Sequence, residues 1–221
     1  MRIDAPPAKL PPFPPRYFNA GELDRLVALV ASVNPRTVIE FGCNEGRAAA
    51  TVLLNLPQIE QYVGIDVLPG YVTIRKCQRN EVPAEPGKFA LPDPRFRLIL
   101  KPRGSFDLRP ADLPQADACF IDADHSRAGV LNDYVLAKLS MKHGGGGIIV
   151  FHDDNGLGAV EVSETLDELA VAGAEIVHIQ NTWLAFERVL NDRRYRAHRR
   201  TSDADRVRAV SMLLDFTVRT L

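Results

Sequence analysis

Cysteine is scarce: Cys43, Cys77 and Cys119 are the only three in 221 residues, far apart and without a C-x-x-C pair. An odd, dispersed set builds neither a disulfide scaffold nor a structural zinc site, and it fits a reducing compartment. No apolar run approaches the roughly 20 residues that a membrane-spanning helix needs. The N-terminus, Met1-Arg2-Ile3-Asp4 followed by prolines, has no apolar signal-peptide core. Neither sign of charge dominates: 27 Lys plus Arg against 28 Asp plus Glu leave −1. That balance gives no global reason to expect a nucleic-acid partner. The expectation is a cytoplasmic protein with no membrane partner. Its 46% hydrophobic and 25% charged residues are ordinary for a globular chain. The length suits one domain with a substantial core.

Proline, by contrast, is concentrated. Pro6, Pro7, Pro11, Pro12, Pro14 and Pro15 fall within the first fifteen residues. With φ fixed and no amide hydrogen, residues 1–18 are expected to form an extended arm, either a tether on the surface or a lid or dimer clasp. Asn19 and Glu22 then form a reciprocal capping pair before the apolar stripe Leu23, Leu26, Val27 and Val30. After Asn34-Pro35, short apolar runs alternate with helical stretches. Strands are expected at Thr37–Phe41, Tyr62–Ile65, Phe96–Leu100, Ala118–Ile121 and Ile148–Phe151. A closing pair is expected near Ile176–Ile179 and Trp183–Phe186, joined by a tight turn at Asn181-Thr182. Helices are expected at Arg127–Lys142, stopped by His143-Gly144, and at Val160–Ala172. This alternation predicts an α/β, doubly wound, mostly parallel sheet with an antiparallel last hairpin. Residues 19–190 form the domain. Residues 191–221 read as a basic helical extension, with Arg193, Arg194, Arg196, Arg199 and Arg200 close together. A solvated helix face or an oligomer contact accounts for that cluster, and phosphate binding is its alternative.

The informative stretch is Glu40-Phe41-Gly42-Cys43-Asn44-Glu45-Gly46, where the first strand passes into a helix. Open α/β sheets bind ligands at that edge. Gly42 permits a sharp turn, and Gly46 lets the backbone approach a ligand with no Cβ between. Asp66, 20 residues beyond Gly46, stands where an acid accepts hydrogen bonds from ribose hydroxyls. A dinucleotide loop needs G-x-G-x-x-G, but Asn44 and Arg47 occupy the second and third glycine positions. The observed E-x-G-x-x-x-G suits a cofactor without a pyrophosphate, such as S-adenosylmethionine, with Glu40 placed for its ammonium through water. NAD is disfavoured.

Two further strand ends are crowded with polar side chains. Asp122, Asp124 and His125 follow one strand, and His152, Asp153, Asp154 and Asn155 follow the next. Packing alone does not account for them, since unpaired buried carboxylates are costly. Two chemical readings stay open beside a plain solvated rim. In one, Asp122, His152 and Asp153 hold a divalent cation that lowers the pKa of a substrate hydroxyl. In the other, His125 or His152 is a general base. His143 and His178 read as a helix-end cation and a solvated strand edge. Cys43 reads as a packed thiol, and Trp183 and Phe186 read as hairpin core.

The loop Glu40 to Gly46, joined to Asp66, resembles the first motif of the class I S-adenosylmethionine-dependent methyltransferases. The resemblance covers roughly Asn19 to Val189 and implies a seven-stranded sheet with a reversed last hairpin. On this reading the cofactor contacts are Glu40, Gly42, Cys43, Asn44, Gly46, Asp66, Ser105 and Asp122. Arg103-Gly104-Ser105-Phe106 would line the adenine pocket. F-I-D-x-D-H and V-F-H-D are similar to motifs of a small O-methyltransferase subgroup acting on catechols and macrolide sugars. Its metal-dependent members carry acids at positions that fall on Asp122, His152 and Asp153. Histidine departs from that pattern at 152 and favours Mn, Fe or Zn over Mg or Ca. The resemblance implies O-methylation of a small hydroxylated molecule. RNA methylation by way of the basic tail, an NAD-dependent oxidoreductase and a non-catalytic interaction module are the rivals. The arm or the tail is the candidate for a homo-oligomer contact.

Overall fold

The computed structural model describes residues 1–73, 81–142, 146–156 and 160–189. The 191–221 extension, the His143-Gly144 stop and Cys77 therefore lie outside the described residues. Chain order is α1 (Glu22–Ala31), β1 (Thr37–Phe41), α2 (Arg47–Asn55), β2 (Gln61–Val67), β3 (Phe96–Lys101), β4 (Ala118–Ile121), α3 (Arg127–Ser140), β5 (Gly147–Phe151), α4 (Val162–Val171), β6 (Ile176–His178) and β7 (Ala185–Val189). The strands form one seven-stranded sheet in the order β3-β2-β1-β4-β5-β7-β6. The pairs among β1 to β5 are parallel, and β7 runs antiparallel to both β5 and β6. The expected fold class is thus the observed one.

Strict alternation along the strands divides the core between the two faces of the sheet. Ile39, Val63, Cys119, Ile149 and Phe151 pack against α3 and α4. Val38, Tyr62, Ala118, Ile148 and Val150 pack against α1 and α2. Because both faces are covered, these strands read as mostly apolar runs. Strand order reverses between β1 and β4, and a crevice opens at that point beyond the strand ends.

Several boundaries move. Gly21, at φ 77, caps α1 in the left-handed region, and Asn19 does not cap with its side chain. Glu22 reaches back instead, accepting from Asn19 N at 2.7 Å and Asn19 Nδ2 at 3.0 Å. Helix α3 ends at Ser140, two residues early, because Met141 turns extended to bridge Ala116. The last hairpin is not tight: β6 stops at His178 and β7 starts at Ala185. Trp183 lies in that connection and is not hairpin core. Phe186 is buried on β7. The proline-rich arm lies along the domain. The Met1 ammonium donates to His178 O at 2.7 Å, Gln180 N to Met1 O at 2.8 Å, and Ala8 N to Asp24 Oδ1 at 2.8 Å. Among the described residues, no helix is long and apolar enough to cross a membrane.

Glu40, one residue before the end of β1, is a carboxyl only 1% exposed within the sheet. Burial pushes it up to about 8, only partly offset by the Tyr62 hydroxyl, and Asp122 and Asp66 push the same way. It is neutral in the fold at pH 7, whereas the unfolded chain releases the proton near its ordinary pKa of 4.5. The unfolded state thus binds fewer protons, and stability falls as pH rises from about 4.5 through about 8. Glu40→Gln is expected to flatten that slope and to raise the melting temperature above pH 8, checked by thermal scans across pH.

Candidate active site

The turn after β1 brings the glycine loop against the end of β4. Gly42 sits at φ 80, and a Cβ there would lie 2.2 Å from Asp122 O, so only glycine fits. Its N–H donates to Ile65 O at 2.8 Å, tying the loop to β2. Gly46, at φ 81, opens α2, and a Cβ there would meet Ala90 Cβ at 2.9 Å. Asp66 closes this end of the crevice. Its Oδ2 accepts from Asn44 N at 2.6 Å and its Oδ1 from Val67 N at 2.7 Å. Burial outweighs those two donors and pushes the carboxyl up to about 6.

A cavity runs from this loop past β4 to β5. Gly42, Asn44, Asp66, Ser105, Asp122, Asp124, His125 and Asp153 line it, as do Arg103, Gly104 and Phe106. Glu40, Cys43, Gly46 and His152 are not on its wall. Glu40 lies in the sheet beside Tyr62, and Cys43 is packed under the loop at 2% exposure. Ser105 accepts from Asn132 Nδ2 at 3.1 Å, which fixes the turn after β3. Asp133 lies behind Ser105, fully buried, and burial pushes its carboxyl up to about 7.

At the far end two carboxylates share two imidazoles. His125 Nε2 is 3.1 Å from Asp153 Oδ2 and 3.6 Å from Asp122 Oδ1. His152 Nδ1 is 3.3 Å from Asp122 Oδ1 and 3.4 Å from Asp153 Oδ2. Neither ring nitrogen makes a well-directed hydrogen bond, although both are buried. Burial disfavours charge on either ring, yet the carboxylates prevail: His152 is raised well above its ordinary value, and His125 is also raised. Burial would raise Asp122, but the two histidines pull it down to about 2.

His152 is therefore not the cavity-facing histidine; His125 is. The His152 ring is enclosed by Phe18, 4.8 Å away between centroids, and by Trp183 at 6.4 Å. Its Nε2 lies 3.4 Å from Glu22 Oε2, while Glu22 Oε1 accepts from Trp183 N at 2.6 Å. Glu22 is fully buried; burial would raise it, but His152, Asn19 and Trp183 pull it down to about 2. In the sequence Glu22 signals only a local cap, and nothing in the linear pattern reports this tie. Trp183, expected in the hairpin core, and Tyr17 of the arm both line the cavity.

A family described as "Methyltransferase domain" matches residues 39–153. The chain belongs to this methyltransferase family. Residues 39–153 run from inside β1 to Asp153, spanning the glycine loop, Asp66 and the acid pair. Solved structures share the methyltransferase's fold. Cofactor-bound Rv0187 from MTB is 20% identical, with a TM-score of 0.55 over 83% of this chain and 84% of that one. The S-adenosylhomocysteine-bound methyltransferase PaMTH1 of Podospora anserina is 14% identical, with a TM-score of 0.58 over 77% and 78%. The O-methyltransferase TomG of Streptomyces achromogenes, solved with S-adenosylmethionine, is 14% identical, with a TM-score of 0.51 over 77% and 79%. No curated protein matches the chain. Family and fold together bear out the expected class I S-adenosylmethionine-dependent methyltransferase.

The buried Glu22 carboxylate makes a sharp prediction for this methyltransferase. Glu22→Ala removes the partner on the Nε2 side of the buried His152 and the acceptor of the Trp183 backbone N–H, at a cost of about 3–5 kcal/mol in urea unfolding. Glu22→Gln keeps the hydrogen-bonding shape and is expected to lose less.

Proposed function

We propose that this methyltransferase transfers the methyl group of S-adenosylmethionine to a hydroxyl of a small molecule. One observation carries the reading: a shared cavity wall joins the Gly42–Asn44 turn and Asp66 at one end to Asp122, His125 and Asp153 at the other. Each Asp66 oxygen has one N–H donor and keeps a lone pair for a ribose hydroxyl. Gly42, Asn44 and Ser105 line the path between, against which the rest of the cofactor would lie. The sulfonium would then face the carboxylate end, where its positive charge is favoured.

Transfer is an in-line displacement. The acceptor oxygen bonds the methyl carbon as the carbon–sulfur bond breaks, S-adenosylhomocysteine leaves as a neutral thioether, and the hydroxyl proton must be taken up. Only neutral His125 can take it, at Nε2, and the imidazolium so formed is held by Asp153 and Asp122. Proximity and alignment supply most of the rest. His152, held from behind by Glu22, keeps the two carboxylates together.

The same cluster fits a divalent cation. Asp122, His152 and Asp153 each offer a ligand atom, all within 4.8 Å of one another, and His152 Nδ1 is buried without a hydrogen-bond partner. Two carboxylates with an imidazole suit Mn, Fe or Zn. Such a cation, when bound, would lower the pKa of the acceptor hydroxyl.

Calorimetric titration tests the reading. S-Adenosylhomocysteine is expected to bind and NAD is not, and Asp66→Asn is expected to weaken the former by about tenfold or more. Binding of NAD alone would overturn it. Metal analysis of Asp153→Asn separates the two versions: metal lost together with turnover supports the cation, and turnover lost without any metal change supports His125.

A further inference from the structure

Asp133, on α3, is a carboxyl with no exposure at all, away from the acid pair and off the cavity wall. Its Oδ1 accepts from Asn132 Nδ2 at 3.2 Å, and its Oδ2 is buried without a hydrogen-bond partner among the described residues. An apolar side chain would fill that space without desolvating a carboxyl, so packing does not account for the acid. What it lies against is Ser105. Burial pushes the carboxyl up to about 7, with Asp124 adding to it, against the pull of Ser105, Asn132 and His125.

These contacts place the hydrogens around Ser105. Asn132 Nδ2 lies 3.1 Å from Ser105 Oγ and 3.2 Å from Asp133 Oδ1. A carboxylate only accepts, so the amide atom beside it is the nitrogen, and its two hydrogens serve the two oxygens. Asn132 therefore fills one lone pair of the Ser105 hydroxyl. The hydroxyl proton has its acceptor in Asp133. One lone pair of Ser105 is left, and Ser105 lines the cavity.

We infer that Asp133 and Asn132 set the Ser105 hydroxyl as a hydrogen-bond acceptor on the cavity wall, where it selects a 6-aminopurine cofactor over a 6-oxopurine. The inference rests on the methyltransferase reading above, with the adenine against the Arg103–Phe106 turn. The exocyclic amine of adenine donates to such an oxygen. A 6-oxo group in its place sets lone pair against lone pair, and the hydrogen bond is lost. Ser105 is thus a specificity-determining residue, and Asp133 a positioning residue that acts through it.

Calorimetry on the full-length protein at pH 8, where Asp133 is mostly ionised, tests this with S-adenosylhomocysteine and S-inosylhomocysteine, which differ only in the 6-amino and 6-oxo groups of the base. The wild type is expected to prefer S-adenosylhomocysteine by about tenfold or more. Asp133→Ala and Asp133→Leu free the Ser105 proton to turn toward the cavity, and each is expected to cut that preference by about tenfold. Ser105→Ala, at the cavity wall, is expected to lose the preference as well, and it reads the same ratio should neither core variant fold. A purely structural role for Asp133 would weaken both ligands by one factor. Such a parallel loss, a preference that persists in the variants, or equal binding of the two ligands by the wild type would overturn the inference and leave the methyltransferase reading intact. Failure of the wild type to bind S-adenosylhomocysteine would overturn both.

Discussion

Two carboxylates side by side at the ends of neighbouring strands cannot both stay ionised in a place shielded from water unless positive charge lies between them. Asp122 is held in this way chiefly by His152 behind it, and Asp153 lies 3.4 Å from the same ring nitrogen. His152 is raised well above its ordinary value chiefly by Asp122, and Glu22 adds a further carboxylate on the Nε2 side. Glu22 in turn accepts hydrogen bonds from Asn19 and Trp183. The start of α1, the end of the arm and the β6–β7 connection are therefore fastened to the same charge chain that organises the acid pair. Breaking it at Glu22 loosens parts of the molecule that are remote from one another in sequence.

The second constraint is steric. Gly42 must pass so close to Asp122 O that no side chain is tolerated. That contact puts the loop after β1 and the acid after β4 on one wall, at the point where strand order reverses. A cofactor anchored by Asp66 would extend toward the acids along that wall. Methyl transfer asks little covalent work of a protein. A rigid edge that sets one distance and one direction answers most of what it does ask.

The five parallel strands were legible because both faces of the sheet are covered, which leaves short, mostly apolar runs bounded by turn residues, interrupted by Glu40 in β1, Asp66 in β2 and Arg97 in β3. The E-x-G-x-x-x-G spacing was legible because the backbone conformation at Gly42 and Gly46 leaves no other residue type. Glu22 was not legible as a partner of His152. Its local signal as a helix-start acid is genuine, since it does bond Asn19, and nothing in a linear pattern reports a contact made 130 residues away. Trp183 differs for a related reason: an aromatic among strand formers reads as core, whereas in the fold its backbone N–H goes to Glu22 and the residue lines the cavity. The early end of α3 depended on a bridge between Met141 and Ala116, which is again a tertiary choice.

A crystal structure of the protein with S-adenosylhomocysteine is the decisive measurement. Ribose hydroxyls are expected on Asp66, the adenine beside Ser105 and Phe106, and the sulfur facing the Asp122, His125 and Asp153 end of the cavity. A ligand bound with its ribose away from Asp66, or with its sulfur turned from the acid pair, would contradict it.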